Sequence, residues 1–187
     1  MDFVEPIRDK KHIEAMKKIL KSDNLRNFVL FVVGINSGLR INDLRQLEDT
    51  DVKKPSGKFK ERIILRESKT NKLKNYPIND SAKKALQEYL GNSPPTGTPL
   101  FPSRKGDKPI SRVQAYRILN SAARLIGIQD HIGTHSLRKT FGYHAFKRGY
   151  PIALLMELFN HSSEKMTLKY IGITQDDIDN VYINVNL

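Results

Sequence analysis

The sequence predicts a mainly α-helical domain with a small antiparallel β-sheet, of the α+β class. Apolar residues recur at intervals of three and four along most of the chain, which is the spacing of amphipathic helices. One stretch, from Phe59 to Ile78, instead carries short apolar runs on either side of a polar turn and predicts a hairpin. The length of 187 residues suits a single domain with a sizeable core, which we place over residues 1–187.

Two helices are predicted before this hairpin. The segment DKKHIEAMKKILK, residues 9–21, places its apolar side chains on one face and its lysines on the other. Residues 23–38 carry a wider apolar stripe through FVLFVVGI, and Gly38 is placed to end that helix. This apolar run is too short to span a bilayer. The segment RINDLRQL then predicts a short helical turn.

Further helices are predicted after the hairpin, whose turn we place at Lys69 to Lys72. NDSAKKALQEYLGN begins with Asp80 or Ser81 as the N-cap and stops at Gly91. The Pro- and Gly-rich segment NSPPTGTPLFPSRKGDKPI is predicted to be a loop. The remaining predicted helices are SRVQAYRILNSAARLIG with a Ser111 cap, Thr134 to Arg148, Pro151 to Asn160, and Ser163 to about Tyr170.

The tail, residues 171–187, differs from the rest of the chain. It has no Lys or Arg, and three aspartates precede the apolar sequence VYINVNL. A terminal segment of alternating apolar character tends to dock on a surface. We therefore expect the tail to dock either on its own domain or on a neighbouring protomer.

Composition narrows the class of function. The chain has 32 Lys+Arg against 20 Asp+Glu, a net charge of +12, which suggests an anionic partner such as nucleic acid. A membrane surface or simple solubility could also explain this charge. The absence of cysteine removes disulfides, thiol nucleophiles and Cys-ligated zinc. No signal peptide is apparent, so we expect a soluble cytoplasmic protein that does not bind membranes.

Four short stretches concentrate residues that could carry chemistry. They are SGLRINDLRQL with Arg40, ESKTNKLKNYPI with Lys69, HSLRKT with His135 and Arg138, and FNHSSEKMTLKYIG with His161 and Tyr170. His135 and Arg138 are three residues apart and therefore share a helix face. Each stretch alone also has a purely structural interpretation: a surface arginine, a helix-start pair, a capping histidine or an amphipathic tyrosine.

In this order and spacing, the four stretches resemble the catalytic domain of the tyrosine recombinases, the phage integrase family. The family pattern is an arginine in a GLR-x-x-E/D context, a lysine on a hairpin, H-x-x-R, a histidine in an L-G-H-type turn, and a tyrosine about nine residues later. The resemblance spans roughly Asp9 to Ile173. Asp43 stands where Glu is usual, and Phe159-Asn160 replaces Leu-Gly. Because Asn tolerates the left-handed conformation, we expect that turn to be kept.

The resemblance implies a site-specific recombinase or integrase that breaks and rejoins DNA through a 3′-phosphotyrosyl intermediate. Tyr170 would attack the phosphate, splitting one hard step into two. Arg40 and Arg138 would bind the non-bridging oxygens, since arginine presents a planar fork of donors to phosphate. The surrounding cations would favour the phenolate over a phenol of pKa about 10. No metal, ATP or other cofactor is expected.

Four further residues receive roles from the same resemblance. Lys69 would protonate the leaving 5′ oxygen, although Lys72 and Lys74 lie in the same hairpin. His135 and His161 would donate hydrogen bonds and help to move the proton of the nucleophile. Asp43 would orient Arg40 or support the site.

The implied partners are double-stranded DNA, other copies of the chain in a homo-tetramer on DNA, and accessory DNA-bending proteins. We also expect the N-terminal core-binding domain of the family to be absent from this chain. Two alternatives stay open: a DNA-binding protein without catalysis, and a type IB topoisomerase-like enzyme with the same nucleophile. The small size and the HSLR motif favour a recombinase over a topoisomerase.

Overall fold

The computed structural model describes residues 4–104 and 106–185 and has the predicted α+β character. Its helices are α1 Lys10–Asp23, α2 Leu25–Ser37, α3 Ile41–Arg45, α4 Asp49–Val52, α5 Asp80–Leu90, α6 Arg112–Leu125, α7 Thr134–Lys147, α8 Ile152–Phe159, α9 Glu164–Ile171 and α10 Gln175–Asn184. Its strands are β1 Arg62–Arg66, β2 Leu73–Pro77, β3 Pro102–Ser103 and β4 Gly106–Pro109. Among the described residues, no helix is both long enough and apolar enough to cross a membrane.

The end of α2 sets the direction of the chain toward the predicted site. Gly38 caps α2 in the left-handed conformation, with φ +65°, as the sequence predicts. A Cβ atom at this position would lie 2.8 Å from the Phe141 ring, so the close packing of α7 also requires glycine. The chain leaves this cap extended through Arg40 and starts α3 at once.

The predicted hairpin is formed by β1 and β2, which pair antiparallel. Ile63 lies opposite Tyr76, and both side chains are buried. Asn71 takes a left-handed conformation in the turn, with φ +55°. The turn between the strands therefore presents Lys69 at one end of the domain.

Two local predictions are wrong. The N-cap of α5 is Asn79 rather than Asp80 or Ser81, because the Asn79 side chain accepts from the amide of Ala82 at 3.0 Å. The Pro- and Gly-rich segment is not all loop, since it contains the β3–β4 pair. Phe101 and Ile110, buried side by side with an amide-to-carbonyl bond of 2.8 Å, anchor the ends of that pair.

The tail, which is predicted to dock and was assigned to no helix or strand, contains the helix α10. Thr174 caps α10, and Asp177 accepts from the Thr174 amide in return. An ion pair of 2.7 Å between Lys147 and Asp177 joins α10 to α7. The apolar side chains of α10 and its end are exposed to solvent: Ile178, Val181, Tyr182, Ile183 and Val185. The last two residues of the predicted docking segment, 186 and 187, lie outside the described residues.

Two apolar clusters of unequal size hold the domain together. The main core gathers buried side chains from α1, α2, α5, α6, the start of α7 and the β1–β2 hairpin. The C-terminal cluster consists of buried Leu155, Phe159 and Ile171, with partly buried neighbours that include Phe141 and Tyr170. Gly142 lets α7 approach this cluster, because a Cβ atom there would lie 2.6 Å from Ile171 and 2.7 Å from Phe159.

Candidate active site

Arg40 stands at the N-cap of α3, directly after the left-handed turn that ends α2. Its side chain turns toward the hairpin, where Nη1 donates to Oε1 of Glu67 at 2.5 Å. The Arg40 side chain keeps 17% of its surface exposed, whereas the Glu67 side chain keeps 1%. The carboxylate that binds Arg40 therefore comes from the end of β1.

Asp43 lies on the first turn of α3 and is buried. Its Oδ1 accepts from the amide of Ser68 at 2.9 Å and from the Ser68 hydroxyl at 2.6 Å. Of the two supporting roles considered for Asp43, this contact fits bracing of the hairpin rather than orientation of Arg40.

Lys69 follows Ser68 and is exposed in the turn of the hairpin. Its charge contributes to lowering the pKa values of His135 and His161. The neighbouring Lys72 donates from Nζ to Oδ1 of Asn160 at 3.1 Å. The hairpin thus reaches across to the turn that carries His161, and Lys69 is exposed in the same hairpin turn.

Arg138, on α7, is 4% exposed and bridges the two clusters of the domain. Its Nη1 donates to the carbonyl of Gly38, and Nη2 donates to the carbonyl of Leu158 at 3.4 Å. The guanidinium also lies over the Phe159 ring, 4.6 Å from its centre. These contacts tie the end of α2 to the end of α8 and fix the direction of the Arg138 side chain.

His135 lies one turn before Arg138 and is exposed at the rim of the site. Its Nε2 is 3.5 Å from Nη2 of Arg112 on α6. Partial loss of hydration, followed by the charges of Arg112, Lys139 and Arg138, lowers the pKa of His135. The ring is therefore neutral at pH 7.

The turn before His161 has the conformation predicted for it, since Asn160 is left-handed with φ 55° and ψ 50°. The His161 ring lies 4.9 Å from the Tyr170 ring in an edge-on arrangement. Its Nδ1 is 3.1 Å from the hydroxyl of Thr167, which itself donates to the carbonyl of Ser163. Because that hydroxyl has one proton, Nδ1 of His161 is the donor and Nε2 carries the lone pair.

Tyr170 lies on α9, partly buried against Phe159 and His161. Burial raises the pKa of the Tyr170 phenol, while the charges of Arg138 and Arg40 and a hydrogen-bond interaction with Arg138 lower it. The cations act in the direction that the sequence predicted. Burial outweighs them, so the phenol of the free domain is protonated and the expected phenolate is not favoured.

The structure places Arg40, Arg138, His161 and Tyr170 close enough to interact, and we call this group of side chains the pocket. Burial has the largest effect on the pKa of His161, and the charges of Arg138 and Arg40 lower this pKa further. The same two charges oppose the rise that burial causes in the pKa of Tyr170. Burial lowers the pKa of Arg138, and the charge of Arg40 lowers it further. Lys69 and His135 are exposed near this group, since the charge of Lys69 acts on His161 and that of Arg138 on His135. Asp43 is bonded to Ser68 in the hairpin.

Sequence reasoning missed three residues that shape this pocket. Alternation along β1 places Glu67 on the same inward face as Ile63 and Leu65. A carboxylate on that buried face indicates that it has a buried hydrogen-bond or ion-pair partner. Thr167 fixes the ring of His161. Lys139 places Nζ 5.5 Å from the centre of the Tyr170 ring and donates to the carbonyl of Val4, contacts that no local pattern indicates.

A sequence model described as the phage integrase family matches residues 8–176. The chain belongs to this family. It is 44% identical over 176 residues to the probable integrase/recombinase YoeC of Bacillus subtilis, covering 94% of this chain and 93% of YoeC. It is also 32% identical over 161 residues to the tyrosine recombinase XerC of Pelobacter propionicus, covering 84% of this chain and 51% of XerC. This integrase-family chain thus spans about half the length of that XerC relative.

Solved structures show the same fold. The crystal structure of XerA recombinase superposes with a TM-score of 0.75 at 20% identity, over 100% of this chain and 67% of XerA. XerH recombinase bound to its difH substrate after cleavage gives 0.73 at 18% identity, over 97% of this chain and 53% of XerH. The predicted family, fold class and enzyme class, a tyrosine-type DNA strand transferase, are confirmed at the level of the phage integrase family.

Proposed function

We propose that this integrase-family domain breaks and rejoins DNA strands at specific sites through a covalent 3′-phosphotyrosyl bond to Tyr170. The observation that carries the proposal is the cluster around the Phe159 ring, where the Arg138 guanidinium lies 4.6 Å and the Tyr170 ring 5.5 Å from the centre of that ring. The His161 ring lies 4.9 Å from the Tyr170 ring, and the charge of Arg40 acts on both His161 and Tyr170. A phosphate bound by the two arginines would lie next to the phenol. We therefore assign the pocket to one scissile phosphodiester.

The two arginines are suited to the charge that develops on the phosphate. In the pentacoordinate state, negative charge increases on the non-bridging oxygens, and fixed donors aimed at this charge are commonly the largest catalytic contribution. Arg138 is held by the carbonyls of Gly38 and Leu158, and Arg40 by Glu67. Their side chains need little reorganisation when DNA binds, which favours the transition state.

Tyr170 must lose a proton before or during attack, because its pKa is raised by burial. We assign the acceptor to Nε2 of His161, the nitrogen left with a lone pair by the Thr167 contact. The phenolate oxygen then bonds to phosphorus, and the bond from phosphorus to the 5′ oxygen breaks. His135 would add a hydrogen bond to the phosphate.

Lys69 is our candidate for the general acid that protonates the leaving 5′ oxygen. Its position in an exposed turn allows it to reach a phosphate at the mouth of the pocket. Asp43 supports this role indirectly, since its two bonds to Ser68 hold the turn next to Lys69. The reverse reaction needs only a 5′ hydroxyl, because the phosphotyrosyl bond conserves the energy of the broken linkage.

Double-stranded DNA is the proposed substrate, and the net charge of +12 supports it. Two of the structural neighbours were solved with DNA, XerH with difH and the Tn1549 integrase with the right end of its transposon. Binding should weaken with salt, with a slope in log–log form of about −0.9 per phosphate contacted. The cysteine-free composition fits a reducing cytoplasm, the compartment that we propose.

Assembly into a tetramer on DNA would use α10. A groove of about 690 Å³ between α1, α7 and α8 has an apolar lining that includes Phe141, Leu154, Leu155 and Leu158. Its charged residues are mostly basic: Lys10, Lys17, Lys74 and Arg148 against Glu14 and Glu157. The helix α10 offers the complementary surface, with apolar side chains and an acidic start. We propose that α10 of one protomer docks in this groove of the next. Deleting residues 181–187 should then weaken association on DNA, measured by crosslinking. Unchanged association would refute docking between protomers.

Covalent capture tests the catalytic proposal. Wild-type protein is incubated with nicked duplexes of randomised sequence, from which the released strand cannot religate, and DNA bound to denatured protein is recovered. We expect adducts with wild type and with Tyr143→Phe, a control on α7, but none with Tyr170→Phe. Wild type that binds the pool without forming adducts would favour the DNA-binding alternative. Relaxation of supercoiled DNA without recombination between two captured sites would favour the topoisomerase-like alternative.

A further inference from the structure

Glu67 is a buried carboxylate whose contacts connect the hairpin to Arg40. Its Oε1 accepts from Nη1 of Arg40 at 2.5 Å and from the hydroxyl of Tyr76 at 3.0 Å. Its Oε2 accepts from the hydroxyl of Thr70 at 2.7 Å. Only 1% of the residue is exposed, so both oxygens depend on protein donors.

The charge state of Glu67 suits an ion pair. Burial alone would raise the pKa of Glu67, but the Thr70 hydroxyl, the Arg40 charge and the Tyr76 hydroxyl together lower it. The carboxylate is therefore ionised at neutral pH. A buried ion pair contributes little net stability, and apolar residues of similar volume often replace one without loss of folding. Glu67 is therefore a candidate for a role beyond folding.

Glu67 and Asp43 form a reciprocal connection between α3 and the hairpin. The α3 segment carries Arg40 and sends the Asp43 carboxylate to Ser68 in the hairpin turn. The hairpin carries Lys69 and sends the Glu67 carboxylate back to Arg40. The hairpin therefore holds Arg40 in place directly, and α3 holds the turn next to Lys69, the proposed general acid.

We propose that Glu67 is a positioning residue that fixes the Arg40 guanidinium against the hairpin so that it meets a non-bridging oxygen of the scissile phosphate. The proposal rests on the proposed function, because Arg40 must contact the phosphate for its position to matter. Glu67 itself does not touch the DNA. It acts only through Arg40, by occupying one edge of the guanidinium and leaving the exposed part directed to the pocket.

The test compares Glu67→Gln with Glu61→Gln, a matched change beside the same strand. Glu61 forms an exposed ion pair of 2.6 Å with Lys83, away from the pocket. A duplex recovered by covalent capture with wild type supplies the substrate, so the proposed function is established before the variant is assayed. We expect Glu67→Gln to lower the single-turnover rate of adduct formation by about 10- to 100-fold, since small displacements of a positioned group have effects of this size. Glu61→Gln should match wild type.

A second substrate separates positioning from a general structural defect. In a methylphosphonate, a neutral methyl group replaces one non-bridging oxygen, so a cation aimed at that oxygen is no longer needed. The rate defect of Glu67→Gln should shrink to about threefold or less on the isomer that replaces the oxygen facing Arg40. An equal defect on the phosphodiester and on both methylphosphonate isomers would overturn the proposal, as would a wild-type rate on the phosphodiester.

Thermal unfolding will show whether Glu67→Gln folds. If it does not, Thr70→Val is the alternative variant for the same test. It removes one hydrogen bond to Glu67 and leaves the Arg40 pair in place. We expect a rate defect of about threefold to tenfold, again relieved on the same methylphosphonate isomer. A Thr70→Val rate equal to that of wild type, or a defect of the same size on all substrates, would count against the positioning role.

Discussion

The two halves of the pocket are held by very different amounts of packing. Arg40 lies against the main core, where α3 and the hairpin are joined by buried carboxylates. Tyr170 lies on α9, which packs against the small C-terminal cluster of Leu155, Phe159 and Ile171. The half with Arg40, proposed to bind the phosphate, therefore rests on the main core, whereas the half with Tyr170, the proposed nucleophile, rests on a small cluster.

This difference suits a nucleophile that has to approach a fixed phosphate. Segments with few buried apolar contacts open at low free energy, and elements that move are drawn from them. In the free domain, Tyr170 is partly buried with a raised pKa. A small change in the packing of α8 and α9 would alter both its position and its protonation without disturbing Arg40. Four experiments, ordered from the largest expected effect to the smallest, test this difference between the two halves of the pocket.

Arg138 is the residue whose replacement should have the largest effect, because it bonds to both halves. Arg138→Lys keeps the charge, but a single ammonium cannot reach the carbonyls of Gly38 and Leu158 and a phosphate together. We expect the rate of adduct formation to fall about 10²- to 10³-fold, with DNA affinity changed far less. Arg62→Lys, on the exposed face of β1, is the matched control and should keep the wild-type rate. Equal rates for the two variants would show that the fork of Arg138 is not needed.

Gly142 allows a direct comparison of the two clusters. Gly142→Ala forces a methyl group against Ile171 and Phe159, and should destabilise α8 and α9 by about 1–3 kcal/mol. Gly34→Ala makes an equally close contact with Leu137 in the main core. Hydrogen exchange should show faster opening confined to α8–α10 for Gly142→Ala, and a loss of global stability for Gly34→Ala. The contrast between the halves fails if both variants loosen the same amides.

Thr167→Val should have a moderate effect on the nucleophile half. It removes the hydroxyl that accepts from Nδ1 of His161 and so releases the ring and its tautomer. The loss of one such hydrogen bond, about 1 kcal/mol, predicts a decrease in the rate of adduct formation of about fivefold. Thr140→Val removes a buried hydroxyl that accepts from the amide of Ile7, outside the pocket. It should reduce stability by a similar amount and leave the rate unchanged, and an equal rate defect in both would remove Thr167 from the site.

Acidification should produce the most gradual effect. Burial and then the charge of Arg138 lower the pKa of His161, so the unfolded chain binds more protons than the folded one below a pH of about 6.5. The free energy of unfolding should therefore decrease as the pH falls from about 6.5 through the lowered pKa. His161→Gln should flatten this slope for the amides of α8 and α9, measured by hydrogen exchange. An unchanged slope would mean that His161 is hydrated like a free histidine.

Local sequence patterns predicted most of the fold because the helices here are amphipathic and have local caps. Gly38 and Asn160 take the left-handed conformations predicted for them, since each follows directly from the preference of one residue. The helix of the tail was not predicted, although the Thr174–Asp177 capping pair that starts it is visible in the sequence. The β3–β4 pair was missed because its stability comes from two buried flanking residues rather than from the strands.

The pocket was predicted only in part, for a physical reason. The family pattern placed Arg40, Arg138, His161 and Tyr170 in the chain, and folding brings them together. The family pattern could not predict the partner of Arg40. Asp43 is only three residues away in the sequence but bonds to Ser68, whereas Glu67 is distant in the sequence and is brought to Arg40 by the fold. The raised pKa of Tyr170 was likewise hidden, since burial depends on how α8 and α9 pack.

The carbonyl of Gly38, at the end of α2, accepts a hydrogen bond from Arg138. The backbone conformation at this helix end therefore helps to position the Arg138 side chain. An L-amino acid at position 38 would meet both the positive φ angle and the Phe141 ring. A mutational scan scored for folding and one scored for DNA joining should therefore reject the same substitutions there. Loss of DNA joining after a substitution at position 38 would therefore reflect the backbone conformation that only glycine adopts there. It would not by itself show that position 38 contacts DNA.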